Sequence, residues 1–184
     1  MSRQFFTECN TWVTASGATL NTATTDTILF PNVTIPANFM QDGRILRVTA
    51  FGQWTTTAST PTIVFSIKWG GVSGTVICKT AAITTVASIT AAGWRLQADL
   101  QTRSNGSTGT IMGNGDCMMF GGVATTISSA TGNAAVTPMM SGGTITPAVA
   151  TCDLTADTAL SIVGNISTTA LTIIGLQYTV ESLN

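Results

Sequence analysis

Eight carboxylates, four thiols and no histidine make up most of what this 184-residue chain offers for chemistry. Without histidine it lacks the commonest general base, the commonest metal ligand and every Ser-His or Cys-His nucleophile pair. Carboxylates work in pairs in glycoside cleavage, and Glu8, Asp26, Asp42, Asp99, Asp116, Asp153, Asp157 and Glu181 are available for it. None falls in a recognisable motif, so no catalytic residue is assigned. Distance along the chain does not forbid a spatial pair, which keeps a glycan-cleaving enzyme as the least favoured reading.

Asp153 and Asp157 bracket Leu154-Thr155-Ala156 and could lend oxygens to a calcium ion, but the D-x-[DN]-x-[DN]-G pattern of a calcium loop is absent. A turn or capping role is the reading preferred. Gly113-Asn114-Gly115-Asp116 has the look of a phosphate loop, yet no G-K-[ST] follows and no helix would supply amides. It is expected to be a bulge or tight turn between strands. No metal and no cofactor is therefore expected.

Cys9, Cys78, Cys117 and Cys152 include no C-x-x-C pair, which excludes zinc-ribbon and thioredoxin spacings. They read as small buried thiols; one or two disulfides remain open, with pairing unassigned. Three glycosylation sequons begin at Asn32, Asn105 and Asn165. They are expected to be accidental in a threonine-rich chain whose first residues do not form a signal peptide. Trp12, Trp54, Trp69 and Trp94 could form a sugar-stacking platform, but three of them fall on or beside strands, so core or interface packing is expected.

The elements that must position these residues are strands. Leu46, Val48, Ala50 and Gly52 alternate with Arg47, Thr49, Phe51 and Gln53, and Ile63, Phe65, Ile67 and Trp69 alternate with Thr62, Val64, Ser66 and Lys68. Gly70-Gly71 then turns the chain into Thr75–Lys79, giving a hairpin over 62–79. Trp94, Leu96, Ala98 and Leu100 alternate with Arg95, Gln97, Asp99 and Gln101 before the turn at Ser104-Asn105-Gly106-Ser107. Residues 108–122 read as a strand interrupted at the glycine run, and 123–150 as long loops with one or two short strands. The chain closes in a long strand in which Leu171, Ile173, Gly175, Gln177 and Thr179 share one face. Pro31 and Pro36 confine 27–35 to an edge strand or a leading arm.

About eight strands without a convincing helix predict an all-β fold: an antiparallel two-sheet β-sandwich, a jelly roll, with an N-terminal arm. The expected division is an arm over 1–22 and a single domain over 23–184.

Charged residues are only 8% of the chain, against about a quarter in ordinary soluble domains. Hydroxyls and amides keep the surface polar and are less costly to desolvate, which suits extensive protein contact. A net charge of -1 with no basic run argues against nucleic acid as a partner. No run reaches the ~20 apolar residues of a spanning helix, so no membrane role is expected.

Ile35-Pro36-Ala37-Asn38-Phe39 leading to Gly43-Arg44-Ile45-Leu46-Arg47-Val48, then Thr60-Pro61-Thr62-Ile63-Val64-Phe65, then Arg103-Ser104-Asn105-Gly106, resemble structural proteins of tailed bacteriophages. With Tyr178-Thr179-Val180-Glu181-Ser182-Leu183 the likeness spans about 27–183. It implies a non-enzymatic virion component, made in the bacterial host cytoplasm. A small jelly roll with an arm resembles the capsid cement or decoration proteins, which implies a homotrimer on the outer head surface partnered by the major capsid protein. Phe5, Phe6 and Trp12 are the candidate arm anchors, against a terminus simply folded onto its own domain. The alternative is a tail-fibre or head-fibre module that binds a host surface glycan through 104–116 or 123–150.

Overall fold

The computed structural model describes residues 8–13, 17–21, 24–121, 134–141 and 148–183. Along them run β1 (Glu8–Val13), β2 (Thr19–Leu20), β3 (Thr27–Ile28), β4 (Val33–Ile35), β5 (Ile45–Thr56), β6 (Thr62–Trp69) and β7 (Thr75–Thr80). There follow β8 (Ile83–Thr84), β9 (Ala92–Ser104), β10 (Gly109–Phe120), β11 (Ala134–Met140), β12 (Ala150–Cys152), β13 (Thr158–Ile166) and β14 (Leu171–Ser182). The fold is all-β, and every pairing is antiparallel.

These strands join along one hydrogen-bonded path, β1-β14-β5-β9-β10-β11-β7-β6-β13-β3, with β2, β4, β8 and β12 attached to its side. The path curls until its ends nearly meet. β2 pairs with β14 through Leu20 and Ile173, while β3, a few residues on, pairs with β13 through Ile28 and Val163. Backbone bonds from Gly17 N–H to the Gly175 carbonyl (2.6 Å) and from Leu29 N–H to the Ile162 carbonyl (2.9 Å) reinforce these two attachments. The result is a nearly barrel-like single sheet rather than two sheets hydrogen-bonded separately, with more strands than the sequence predicts because short pieces such as β2, β3, β4, β8 and β12 join the long ones.

The interior is where the predicted alternations converge. Leu46, Val48, Ala50 and Trp54 of β5, Ile63, Phe65, Ile67 and Trp69 of β6, and Trp94, Leu96, Ala98 and Leu100 of β9 are all buried. The Phe65 and Trp94 rings meet across the interior at 4.8 Å, and Phe30 lies 5.0 Å from Tyr178. Each buried indole N–H has a carbonyl to donate to: Trp54 to Phe120 (3.0 Å), Trp69 to Asp153 (3.0 Å) and Trp94 to Ile174 (3.3 Å). Trp54, Trp69 and Trp94 therefore belong to the core and form no sugar platform.

Two predicted details change. In β14 the register slips between Gly175 and Gln177; one extra residue reverses the alternation, so Tyr178, Val180 and Ser182 point inward and Gln177 does not. The run Gly113–Asp116 makes neither bulge nor turn but continues β10, paired on one side with Leu100–Gln97 of β9 and on the other, from Asn114, with Met140–Pro138 of β11. Its glycines serve close packing: a Cβ on Gly113 would stand 2.8 Å from that of Cys78, and one on Gly115 2.6 Å from the Ala98 Cα.

Candidate functional site

With the apolar residues of β5, β9 and β10 turned inward, the alternate residues must face out, and antiparallel register aligns them in rows. Across β14, β5, β9, β10 and β11 one row reads Glu181, Arg47, Asp99, Asn114, Met140. The next reads Thr179, Thr49, Gln97, Asp116, Pro138, and the one beyond it Gln177, Phe51, Arg95, Met118, Val136. Together with Arg103, this face carries much of the charge of a chain that has seven basic and eight acidic residues.

Arg47 grips Asp99 in a fork: Nε to Oδ1 at 2.8 Å and the terminal nitrogen to Oδ2 at 2.9 Å. The carboxylate in turn holds the Arg47 guanidinium above its ordinary pKa, through the hydrogen bond first and its charge second. Arg95 donates to Gln97 Oε1 and lies over the Phe51 ring at 5.9 Å. Phe51, Phe120 and Val136 are large apolar side chains exposed on the same face.

At one end of the face Ile45, Asp99, Gln101, Arg103, Met112, Gly113, Asn114 and Met140 line a groove of about 450 Å³. That volume lies in the range of small-molecule sites, about 300–1,000 Å³. The strand ends beside it are tied together. Asp42 Oδ1 accepts the Asn105 N–H (2.7 Å), Gly43 N–H donates to the Thr102 carbonyl (3.0 Å), and the Ser104 and Thr110 hydroxyls bond at 2.8 Å. The groove is therefore built from long strands with a pinned turn.

The other predicted candidates have structural tasks. Asp153 Oδ1 accepts from the Thr155 N–H (2.8 Å) and hydroxyl (2.7 Å), and Asp157 Oδ1 from the Ala37 N–H (2.8 Å), so these residues secure turns. Asp26 accepts from Lys68 Nζ (2.5 Å) and Asn165 Nδ2 (2.7 Å) on the outer side of β6 and β13. Cys78, Cys117 and Cys152 are free, buried thiols; burial pushes Cys78 up to about 12 and Cys152 to about 11. Phe5 and Phe6 lie outside the described residues, and so do most of 123–150. Trp12 lies on β1, its backbone opposite Thr179 of β14. Of the predicted binding loops, 104–116 contributes Met112, Gly113 and Asn114 to the groove. The sequence offers Asp99 only as one of eight carboxylates and does not join it to Arg47 or Gln101, because only the register sets Asp99 between Arg47 and Asn114, and Gln101 between Ile45 and Met112.

No protein-family model matches this chain, and no curated protein does. Among solved structures there is a likeness to the CBM2 module of the evolved Dit of Lactobacillus casei BL23 phage J-1. The sequence identity is 9%, covering 82% of this chain and 67% of that one, with a TM-score of 0.31.

Proposed function

We propose that the chain is a non-enzymatic phage virion module that binds a surface saccharide in the groove between Arg103 and Met140. The observation that carries this is the composition of the groove. Amide, guanidinium and carboxylate groups of Gln101, Asn114, Arg103 and Asp99 stand beside the apolar Ile45, Met112 and Met140. Sugar hydroxyls both donate and accept, as side-chain amides do, while Met and Ile offer contact to C–H faces. The fold holds these groups on strands, which fixes their spacing before a ligand arrives. Asp99 is already engaged by Arg47 through both oxygens, an arrangement that suits positioning better than proton transfer.

Retention on bacterial polysaccharides tests the reading. The intact chain is expected to be retained by at least one surface polysaccharide, and Asn114→Trp, which fills the groove from an exposed position, to lose that retention with an unchanged melting temperature. Retention unaffected by Asn114→Trp would overturn it.

A second reading rests on the exposed Phe51, Phe120 and Val136 beyond the groove, apolar groups suited to protein contact. On this reading the same face meets the major capsid protein and the chain is a homotrimeric cement on the head. Reconstruction of intact particles separates the two: density at capsid threefold or quasi-threefold positions with this face buried supports cement, and density on a fibre or the tail with the face open supports saccharide binding.

A further inference from the structure

Resting on the saccharide reading, we infer that the groove selects an acidic sugar, whose carboxylate seats on the Arg103 guanidinium. The groove holds two charges of opposite sign with different standing. Asp99 is neutralised by Arg47 in a forked ion pair. Arg103 has no such partner: its terminal nitrogen donates to the Met112 thioether sulfur at 3.0 Å, and among the described residues no carboxylate pairs with it. A thioether is a weak acceptor, and Arg103 is exposed, so most donors of this planar fork face solvent and are open to a ligand. Carboxylates match that fork with two parallel bonds.

The two carboxylates nearest Arg103 along the groove and its turn already have contacts of their own. The Asp42 carboxylate accepts the Asn105 N–H on the adjoining turn, and Asp99 is held by Arg47. An incoming carboxylate therefore meets one exposed guanidinium that no carboxylate pairs among the described residues, while Gln101 and Asn114 remain for the hydroxyls of the same sugar. A neutral sugar would gain those amide contacts and leave Arg103 in its poor contact with sulfur.

The test uses three polyuronates (polygalacturonate, alginate and hyaluronate), their carboxyl-reduced forms and a poly(glycerol phosphate), with binding followed by affinity electrophoresis. The intact chain is expected to bind at least one polyuronate about 10- to 100-fold more tightly than its reduced form, the worth of a charge-assisted bond. Arg103→Gln should erase that preference while leaving weak binding to the reduced polymer, and Arg103→Lys should restore part of it. Equal binding of native and reduced polymers would overturn the acidic selection and leave the saccharide reading standing. Preference for the poly(glycerol phosphate) alone would overturn it in favour of a phosphate ligand. Binding to none of these polymers overturns the inference, while the broader polysaccharide panel still decides the reading beneath it.

Discussion

Arg47 on β5 and Asp99 on β9, directly opposite in the ladder, are joined by two near-parallel hydrogen bonds of 2.8 and 2.9 Å on the outer face of the barrel-like sheet. Asp99 lines the groove and Arg47 reaches it only through Asp99, so removing Arg47 separates stability from binding. Both side chains are more than a third exposed, at 36% and 42%, and an ion pair of this kind contributes less than about 1 kcal/mol. Arg47→Ala should therefore leave the urea midpoint nearly unchanged. It should weaken binding of an acidic saccharide about tenfold or more, because the Asp99 charge then opposes the ligand. Paired denaturation and titration curves check both halves.

Gly115→Val should be costly although the residue lies in a solvent-facing sheet. Its added atoms would press on Ala98 and on the Gln97 carbonyl of β9, and overpacking of this kind costs about 1–3 kcal/mol. Chemical denaturation should show the loss, with Asn114→Ser, one residue away on the exposed side, close to wild type.

Acid should weaken the link between Asp26 and Lys68. Burial alone would push the Asp26 carboxyl up, but the bonds from Lys68 and Asn165 and the nearby lysine charges outweigh it and hold the group below its ordinary value. A carboxylate whose folded pKa is depressed lends stability above its unfolded value, about 3.9, and loses it as the pH falls through the folded one. The stability gap between wild type and Asp26→Asn should be present at pH 6 and close as the pH drops below about 4. A gap that widened in acid would contradict this pairing.

The thiols should resist alkylation in the native state. Cys78 and Cys152 are raised to about 12 and about 11 by burial, and Cys117 is raised further by burial first and by Asp116 second. Peptide mapping after iodoacetamide treatment at neutral pH should find these three unmodified until denaturant is added. Because the unfolded thiols ionise near pH 8.5, the stability held in the buried protonated forms should decline as the pH rises above that value.

Much of this molecule is legible along single strands. The two-residue alternations of β5, β6 and β9 identify their inward faces, and three tryptophans could be assigned to packing from position alone. What depends on neighbours in space is not legible. The slip at Gly175–Gln177 reverses a face without any local signal. The glycines of β10 read as a break because a close approach by Cys78 or Ala98 leaves no trace in the surrounding residues. The same limit hid the groove: Arg47, Asp99 and Asn114 are each an ordinary outward residue, and the register between strands distant in sequence makes them a row. Strand number and spacing suggest a sandwich of two sheets because they do not reveal that β2 pairs with β14 while β3 pairs with β13.

The account rests on the groove being where a saccharide docks, and amide chemical-shift mapping during titration with a retained polysaccharide fragment examines this residue by residue. The expected result is that the largest perturbations fall on Gln101, Arg103, Met112 and Asn114, with little change around Asp26 and Lys68 on the far side. Perturbations gathered at the Asp26–Lys68 side, or spread over Phe51, Phe120 and Val136 with the groove unaffected, would contradict it.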